Sequence, residues 1–329
     1  MPENSNNENK LINLANIYIK NYANINIHTT RAKKLDLKHF IHFLSNQINK
    51  KNNDLLTSDF TPQNINLFIE EKLSLGEAPT TVARRIATIK HFAKTVSENN
   101  KNFINPTTSI KAPKRKIEKP DFLDRDEINK ILQNGFEKVI SKKSFKNIRN
   151  FTIFSLLLDT GIRADEIKNL LYSQLDSEYS WLKNVRTKGR KFRNVYITTA
   201  IKNILITYIE IRELELKKLD TNIPINIKKN LPLFISLYKA EIANPKTLKM
   251  GSKSIYRAVN EFSIDTKLHP HLLRHSYATE LLNETKDIRL VAQALGHSDV
   301  RVTMRYTSRS DKDLSIALEK TRKNQKINT

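Results

Sequence analysis

The chain has 329 residues, with 57 Lys and Arg against 34 Asp and Glu, for a formal net charge of +23. It has no cysteine and only six glycines, which excludes disulfides, thiol catalysis, cysteine zinc sites and the G-x-G-x-x-G and Walker A nucleotide loops. The polar start MPENSNNENK lacks the apolar core of a signal peptide, and no apolar run is long enough for a bilayer. A charge this large points to a polyanionic partner, so a soluble, intracellular protein is expected, with nucleic acid as the leading partner and a membrane surface second.

In chain order, the spacing predicts helices over 11–22, 29–48, 60–75 and 78–96. The third opens on Thr61-Pro62, a good N-cap and first-turn pair. The fourth places Val82, Ile86, Ile89 and Phe92 at three- and four-residue intervals, the mark of one buried stripe. A helical bundle over 1–104 follows. Residues 105–123 carry Pro106, Pro113 and Pro120 and read as an extended linker. Residues 124–329 form a second domain. It opens with a helix over 124–132, capped by Asp124 and Glu127, followed by helices over 150–159 and 164–170. Strands over 181–185 and 194–198 flank the cationic turn Lys188-Gly189-Arg190-Lys191. Helices over 199–218, 252–262, 271–282 and 288–295 complete the domain, the last stopped by Gly296. Gly76 and Gly135 are assigned to loops. The fold class is mainly α, with a small β-sheet in the C-terminal domain, and both domains are basic.

Four of the eight histidines lie between 269 and 297. His271 and His275 stand at i, i+4, a metal-ligand spacing. No H-E-x-x-H is present, no carboxylate is near in sequence, and Arg274 places a fixed positive charge beside the pair, so no metal is expected. Arg274 itself suggests another chemistry. A guanidinium fork matches phosphate oxygens, and arginines can offset phosphoryl charge without a metal ion.

His271-Leu272-Leu273-Arg274-His275, then Leu295-Gly296-His297, then Tyr306 resemble the catalytic signature of the tyrosine site-specific recombinases, the lambda-integrase family. Thr160-Gly161-Ile162-Arg163-Ala164-Asp165-Glu166 resembles that family's first arginine box, and Lys188 resembles its hairpin lysine. The order of domains resembles the short Xer branch.

The resemblance implies a SAM-like core-binding bundle and an α+β catalytic domain. It implies Tyr306 as nucleophile, forming a 3′-phosphotyrosine, with Arg163 and Arg274 on the non-bridging oxygens. Lys188 would be the general acid for the 5′ oxygen, with Lys191 on the same turn as the alternative. His271 would assist proton transfer at Tyr306 and His297 would hydrogen-bond the phosphate. Glu166 and His275 would hold the geometry around them. No cofactor is implied, since the covalent intermediate conserves the bond energy.

DNA contacts are expected from Arg31, Lys33, Lys34, Arg84 and Arg85 in the bundle, and from Ser252, Ser254 and Arg257. The implied partner is double-stranded DNA with an inverted-repeat core site, with no membrane, and the implied location is cytoplasmic and nucleoid-associated. Recombinase subunits would form a dimer on each site and a synaptic tetramer, with strand exchange through a Holliday junction and an FtsK-type translocase as a candidate activator. The apolar stripe Leu314, Ala317 and Leu318 would lie in a C-terminal exchange tail, about 312–329, that docks on a neighbouring subunit. The implied task is chromosome dimer resolution. The alternatives are integration and excision of a mobile element, a topoisomerase that uses the same chemistry without synapsis, and a non-catalytic DNA-binding regulator.

Overall fold

The computed structural model describes residues 10–23, 27–100, 102–114, 121–187, 191–297 and 299–306. The chain divides into two compact units, Met1–Ile117 and Glu118–Thr329.

The first unit holds four helices: α1 (Leu11–Ala23), α2 (Ile27–Gln47), α3 (Pro62–Ser74) and α4 (Pro79–Asn99). Thr61 caps α3, its hydroxyl accepting from the Asn64 N–H at 3.2 Å, with Pro62 in the first turn. The predicted stripe of α4 is the buried one: Val82, Ile86 and Ile89 are fully buried and Phe92 nearly so. An aromatic cluster of Phe40, Phe43, Phe60, Phe68 and Phe92 fills the centre, with ring centroids 5.2–6.0 Å apart. Phe103 and Ile110 join this core, so the chain stays packed well into the proline-bearing segment.

The second unit is built around α6 (Phe145–Thr160), which is buried along most of its length. Against it pack α5 (Arg125–Ser141), α8 (Thr199–Leu219), α10 (Ser252–Asn260) and α11 (Pro270–Thr285). Shorter helices α7 (Ala164–Asn169), α9 (Ile225–Lys229) and α12 (Ile288–Leu295) complete the set, with 3-10 turns at Val300–Val302 and Met304–Tyr306. The capping box of α5 is present: Asp124 accepts from the Glu127 N–H at 2.8 Å, and Glu127 accepts from the Asp124 N–H at 2.9 Å. This helix runs nine residues past its expected end. Gly135 therefore lies inside a helix rather than in a loop, and its missing side chain leaves room for the Phe151 ring, which a Cβ would approach to 2.6 Å.

The sheet is a two-stranded antiparallel hairpin of β1 (Trp181–Arg186) and β2 (Phe192–Tyr196). Trp181 faces Tyr196 and Arg186 faces Phe192, with an irregularity between Leu182 and Val185. The second strand ends two residues earlier than expected because Thr198 turns to start α8. Its N–H and hydroxyl both donate to the Asp159 carboxylate, at 3.1 and 2.6 Å. In α8, Arg212 is fully buried, donating to the Pro232 carbonyl at 2.8 Å and to Glu213 at 2.7 Å. No described helix is long and apolar enough to cross a membrane.

Candidate active site

The site is assembled from the ends of α6 and α12, the start of α7, the first turns of α11, strand β2 and the 3-10 turn at Met304–Tyr306. α6 stops at Gly161, whose φ of +59° provides the left-handed cap. Arg163 then serves as the N-cap residue of α7. One turn into α7, the buried Glu166 collects three donors. The Arg163 backbone N–H lies at 3.0 Å, the Arg163 Nη1 at 2.8 Å and the Arg193 Nη2 at 3.0 Å.

Arg274 sits on the buried face of α11, 4% exposed. Its Nη1 donates to the Gly161 carbonyl. Its Nη2 donates to the Leu295 carbonyl at 2.7 Å and lies 3.1 Å from His297 Nε2. Burial, then the neighbouring Arg163 and Arg193, lower its pKa to about 9. Arginine only donates, so His297 Nε2 accepts. The ring proton is then assigned to Nδ1, which donates to the Thr303 hydroxyl at 2.8 Å.

Tyr306 is 9% exposed and packs with Ala278, Val291 and Leu295. Its hydroxyl lies 2.8 Å from His275 Nδ1. His275 was expected only to hold helix geometry; the structure puts it on the phenol. His271, one turn earlier on α11, is exposed. Its pKa is lowered by loss of solvent around the ring and then by His269, Arg274 and Arg163. Among the described residues no group of three or more His, Asp or Glu is placed to hold a metal ion.

Lys188 and the tail at 312–329 lie outside the described residues. Lys191 is exposed, and its carbonyl accepts from the Thr187 N–H at 2.7 Å. In the first unit, Arg31 and Lys34 are exposed on α2. Lys33 is partly buried and donates to the Tyr18 hydroxyl at 2.7 Å. Arg84 is half-exposed with its guanidinium on the buried Asp36. Arg85, expected beside it on a DNA-facing surface, is instead 7% exposed and forks onto Glu77 at 2.9 and 3.2 Å. Ser254 and Arg257 are exposed on α10, whereas Ser252 is partly buried and within 3.4 Å of Lys168 Nζ.

Sequence reasoning missed Arg193 and Thr303. The signal for Arg193 was the period of two in β2, which puts it on the same face as the buried Val195. An arginine on the inward face of a strand needs buried partners. Thr303 carried no comparable signal, since its partner is set by the turn after α12.

The chain is similar to known proteins over most of its length. The phage integrase family matches residues 121–313. A tyrosine recombinase XerC of Thermodesulfovibrio yellowstonii is 30% identical over 289 residues, 85% of each chain. One of Listeria welshimeri serovar 6b is 27% identical over 290 residues, covering 88% of this chain and 90% of that relative. Among solved structures, the fold is similar to that of the XerH site-specific recombinase bound to its difH substrate before cleavage. That match has a TM-score of 0.67 at 20% identity, over 92% of this chain and 81% of the other. It is also similar to that of a lambda integrase dimer bound to a core site, with a TM-score of 0.61 at 16% identity, over 94% and 80%.

Proposed function

The chain belongs to the phage integrase family, as a tyrosine recombinase of Xer type, and from that premise we propose that Tyr306 attacks the scissile phosphate of a DNA strand. The enzyme breaks and rejoins DNA strands at specific sites. In the proposed step the phenol oxygen bonds to phosphorus and the bond to the 5′ oxygen breaks. The products are a 3′-phosphotyrosyl link and, once protonated, a free 5′ hydroxyl. Attack by that hydroxyl, or by one from another strand, reverses the step and releases Tyr306.

The observation that carries this reading is the excess of guanidinium in a site that also holds a phenol. Arg163 and Arg193 pair with one carboxylate, Glu166, while Arg274 is held by the Gly161 and Leu295 carbonyls, and Leu295 packs in the same cluster as Tyr306. A phosphate supplies the missing negative charge, and more of it develops as the fifth oxygen bonds. Arg163 and Arg274 bind the non-bridging oxygens. His275 holds the phenol, and His271, kept neutral, takes up its proton. His297 joins the two arginines on the phosphate when its Nε2 takes up a proton and exchanges Arg274 for a phosphate oxygen, its Nδ1 staying on Thr303. Lys188, or Lys191 on the same turn, delivers a proton to the departing 5′ oxygen.

Two subunits bind one inverted-repeat core site, and two such sites pair in a tetramer. Strands exchange in two rounds through a Holliday junction, and the cytoplasmic task is resolution of chromosome dimers, with an FtsK-type translocase as activator. The bundle and the catalytic domain contribute cations to DNA phosphates, which makes binding steeply salt-dependent.

The test is covalent capture. The protein and Tyr306→Phe are mixed with fragments of source chromosome, quenched in detergent, and the attached DNA is sequenced. Adducts formed only with the tyrosine and clustered at one inverted repeat are expected. Adducts scattered over arbitrary DNA would favour a topoisomerase. Absence of adducts even on nicked substrates that trap the intermediate would favour a non-catalytic regulator.

A further inference from the structure

We infer that Arg193 is a positioning residue for strand cleavage: it fixes the Leu295 carbonyl and Glu166, and through them sets the aim of Arg163 and Arg274. The inference rests on the reading of Tyr306 and the two other arginines given above.

Three observations support it. First, Arg193 is bound at both ends of its fork. Nη1 donates to the Leu295 carbonyl and Nη2 donates to Glu166 at 3.0 Å. Both acceptors are shared with the arginines assigned to the phosphate. Arg274 reaches the same carbonyl at 2.7 Å, and Arg163 reaches it at 3.4 Å and Glu166 at 2.8 Å. The three guanidiniums are thus tied into one network through two acceptors.

Second, the side chain is placed at a cost that stability alone does not explain. It is 8% exposed, and its Nε is buried with no hydrogen-bond partner. A third cation in a site with one carboxylate adds repulsion, which burial worsens. Such an arrangement is expected where a network must hold a geometry for an anion that arrives later.

Third, the chain makes room for it. At Gly296, which has a φ of +64°, a Cβ would stand 2.5 Å from Arg193 Nη1 and 3.0 Å from its Cδ. The turn between α12 and His297 is therefore shaped around this side chain. Arg193 links strand β2 to the end of α12 and the start of α7, three elements that supply the site.

Arg193 does not need to touch the phosphate for this role. With its two bound nitrogens turned toward Leu295 and Glu166, it limits the swing of its neighbours. A lysine keeps the charge but cannot bridge both acceptors at once. A glutamine loses the charge as well.

The experiment compares Arg193→Lys and Arg193→Gln with the wild type on a nicked substrate that traps the covalent adduct. Each is measured on a normal phosphate and on a methylphosphonate, in which one charged oxygen is replaced by a neutral methyl group. DNA binding is measured in parallel. On the normal phosphate, cleavage by both variants is expected to slow by about 10²-fold, the scale of a small misplacement of catalytic groups. DNA binding is expected to stay within about threefold. On the methylphosphonate the defect is expected to shrink to less than about tenfold, because aimed cations matter less when the charge is gone.

Equal losses on the two substrates would overturn the assignment and mark Arg193 as structural only. An unchanged rate on the normal phosphate in both variants would overturn it too. If Arg193→Gln fails to fold, Arg193→Lys alone decides between these outcomes, and loss of folding in both would likewise assign a structural role. A wild type that forms no Tyr306-dependent adduct would defeat the underlying reading of the site, a result distinct from an active wild type with indifferent variants.

Discussion

The Nδ1 atom of His275 lies 2.8 Å from the hydroxyl of Tyr306, and the two rings stand 5.5 Å apart at 53°. A buried phenol with a pKa near 10 in water needs such a partner to be held in line for attack while another group takes its proton. His275→Ala is expected to slow adduct formation by about 10²-fold, the scale of a small misplacement of the reacting group, with DNA binding little changed. Tyr306→Phe is expected to abolish the adduct while binding persists. A gel-shift titration beside a detergent-quenched time course separates the two effects.

His271 gives the site a pH dependence. Its pKa lies below the ordinary value, from loss of solvent first and then from His269, Arg274 and Arg163. The neutral ring is the form present at pH 7 and the form able to take a proton. Cleavage is therefore expected to be level above about pH 6.5 and to fall as pH drops through the lowered pKa. His271→Gln is expected to be slow throughout and to lack this limb. Stability moves in the same direction. The unfolded histidine binds its proton first as pH falls below 6.5, so acid costs the folded state stability, and the variant loses that contribution.

Arg274→Lys keeps the charge and loses the fork. One ammonium cannot serve the Gly161 and Leu295 carbonyls and His297 in the directions these groups occupy. Cleavage is expected to fall by about 10²–10³-fold, the scale of losing an aligned donor at developing negative charge. A thermal shift of only a few degrees alongside that loss would distinguish misalignment from unfolding.

Gly161→Ala attacks the same geometry from the backbone. The residue sits at a φ of +59°, and a Cβ there would meet the Tyr277 ring at 2.4 Å. Strain and overpacking together are expected to cost about 2–4 kcal/mol. The midpoint of urea unfolding of the catalytic domain reads this directly, and the Gly161 carbonyl should no longer hold Arg274.

Tyr208 supplies an alkaline limit. It is fully buried, its hydroxyl donates to the Leu233 carbonyl at 3.0 Å and accepts from the Ile235 N–H at 3.1 Å, and burial raises its pKa to about 12. A raised folded pKa means stability that is complete below about pH 10, where the unfolded tyrosine begins to ionise, and lost as pH rises to about 12. The amount is about 3 kcal/mol. Tyr208→Phe is expected to cost about 1–3 kcal/mol at neutral pH by unpairing two backbone groups and to flatten the alkaline loss. Unfolding curves at pH 7 and pH 11 test both statements.

What was legible in the sequence was what helical geometry alone sets. His271, Arg274 and His275 share one helix, so their spacing already implied their relation. Gly296 ends α12 and fixes where His297 emerges. The bundle's core was legible because α4 repeats its apolar residues with the helical period. Contacts between distant segments were not legible. Glu166 meets Arg193 across 27 positions, and Leu295 meets it across 102, through a main-chain atom with no side-chain signature. The burial of Arg85 was hidden for the same reason, since Glu77 lies before the helix and reaches back. α5 outruns the expected helix because Gly135, a poor helix former, is where the Phe151 ring packs, a contact with a residue distant in sequence.

The point where three arginines converge is the carbonyl oxygen of Leu295. Every amino acid has that atom. Evolution can therefore exchange the side chain at 295 for another apolar one that fills the space beside Ala278 and Val291 without touching the hub itself. The constraint is passed to the next position, where only the absence of a side chain leaves room for Arg193. A lineage that drifted at 295 would keep its chemistry, and one that drifted at 296 would lose the aim of all three cations in a single step.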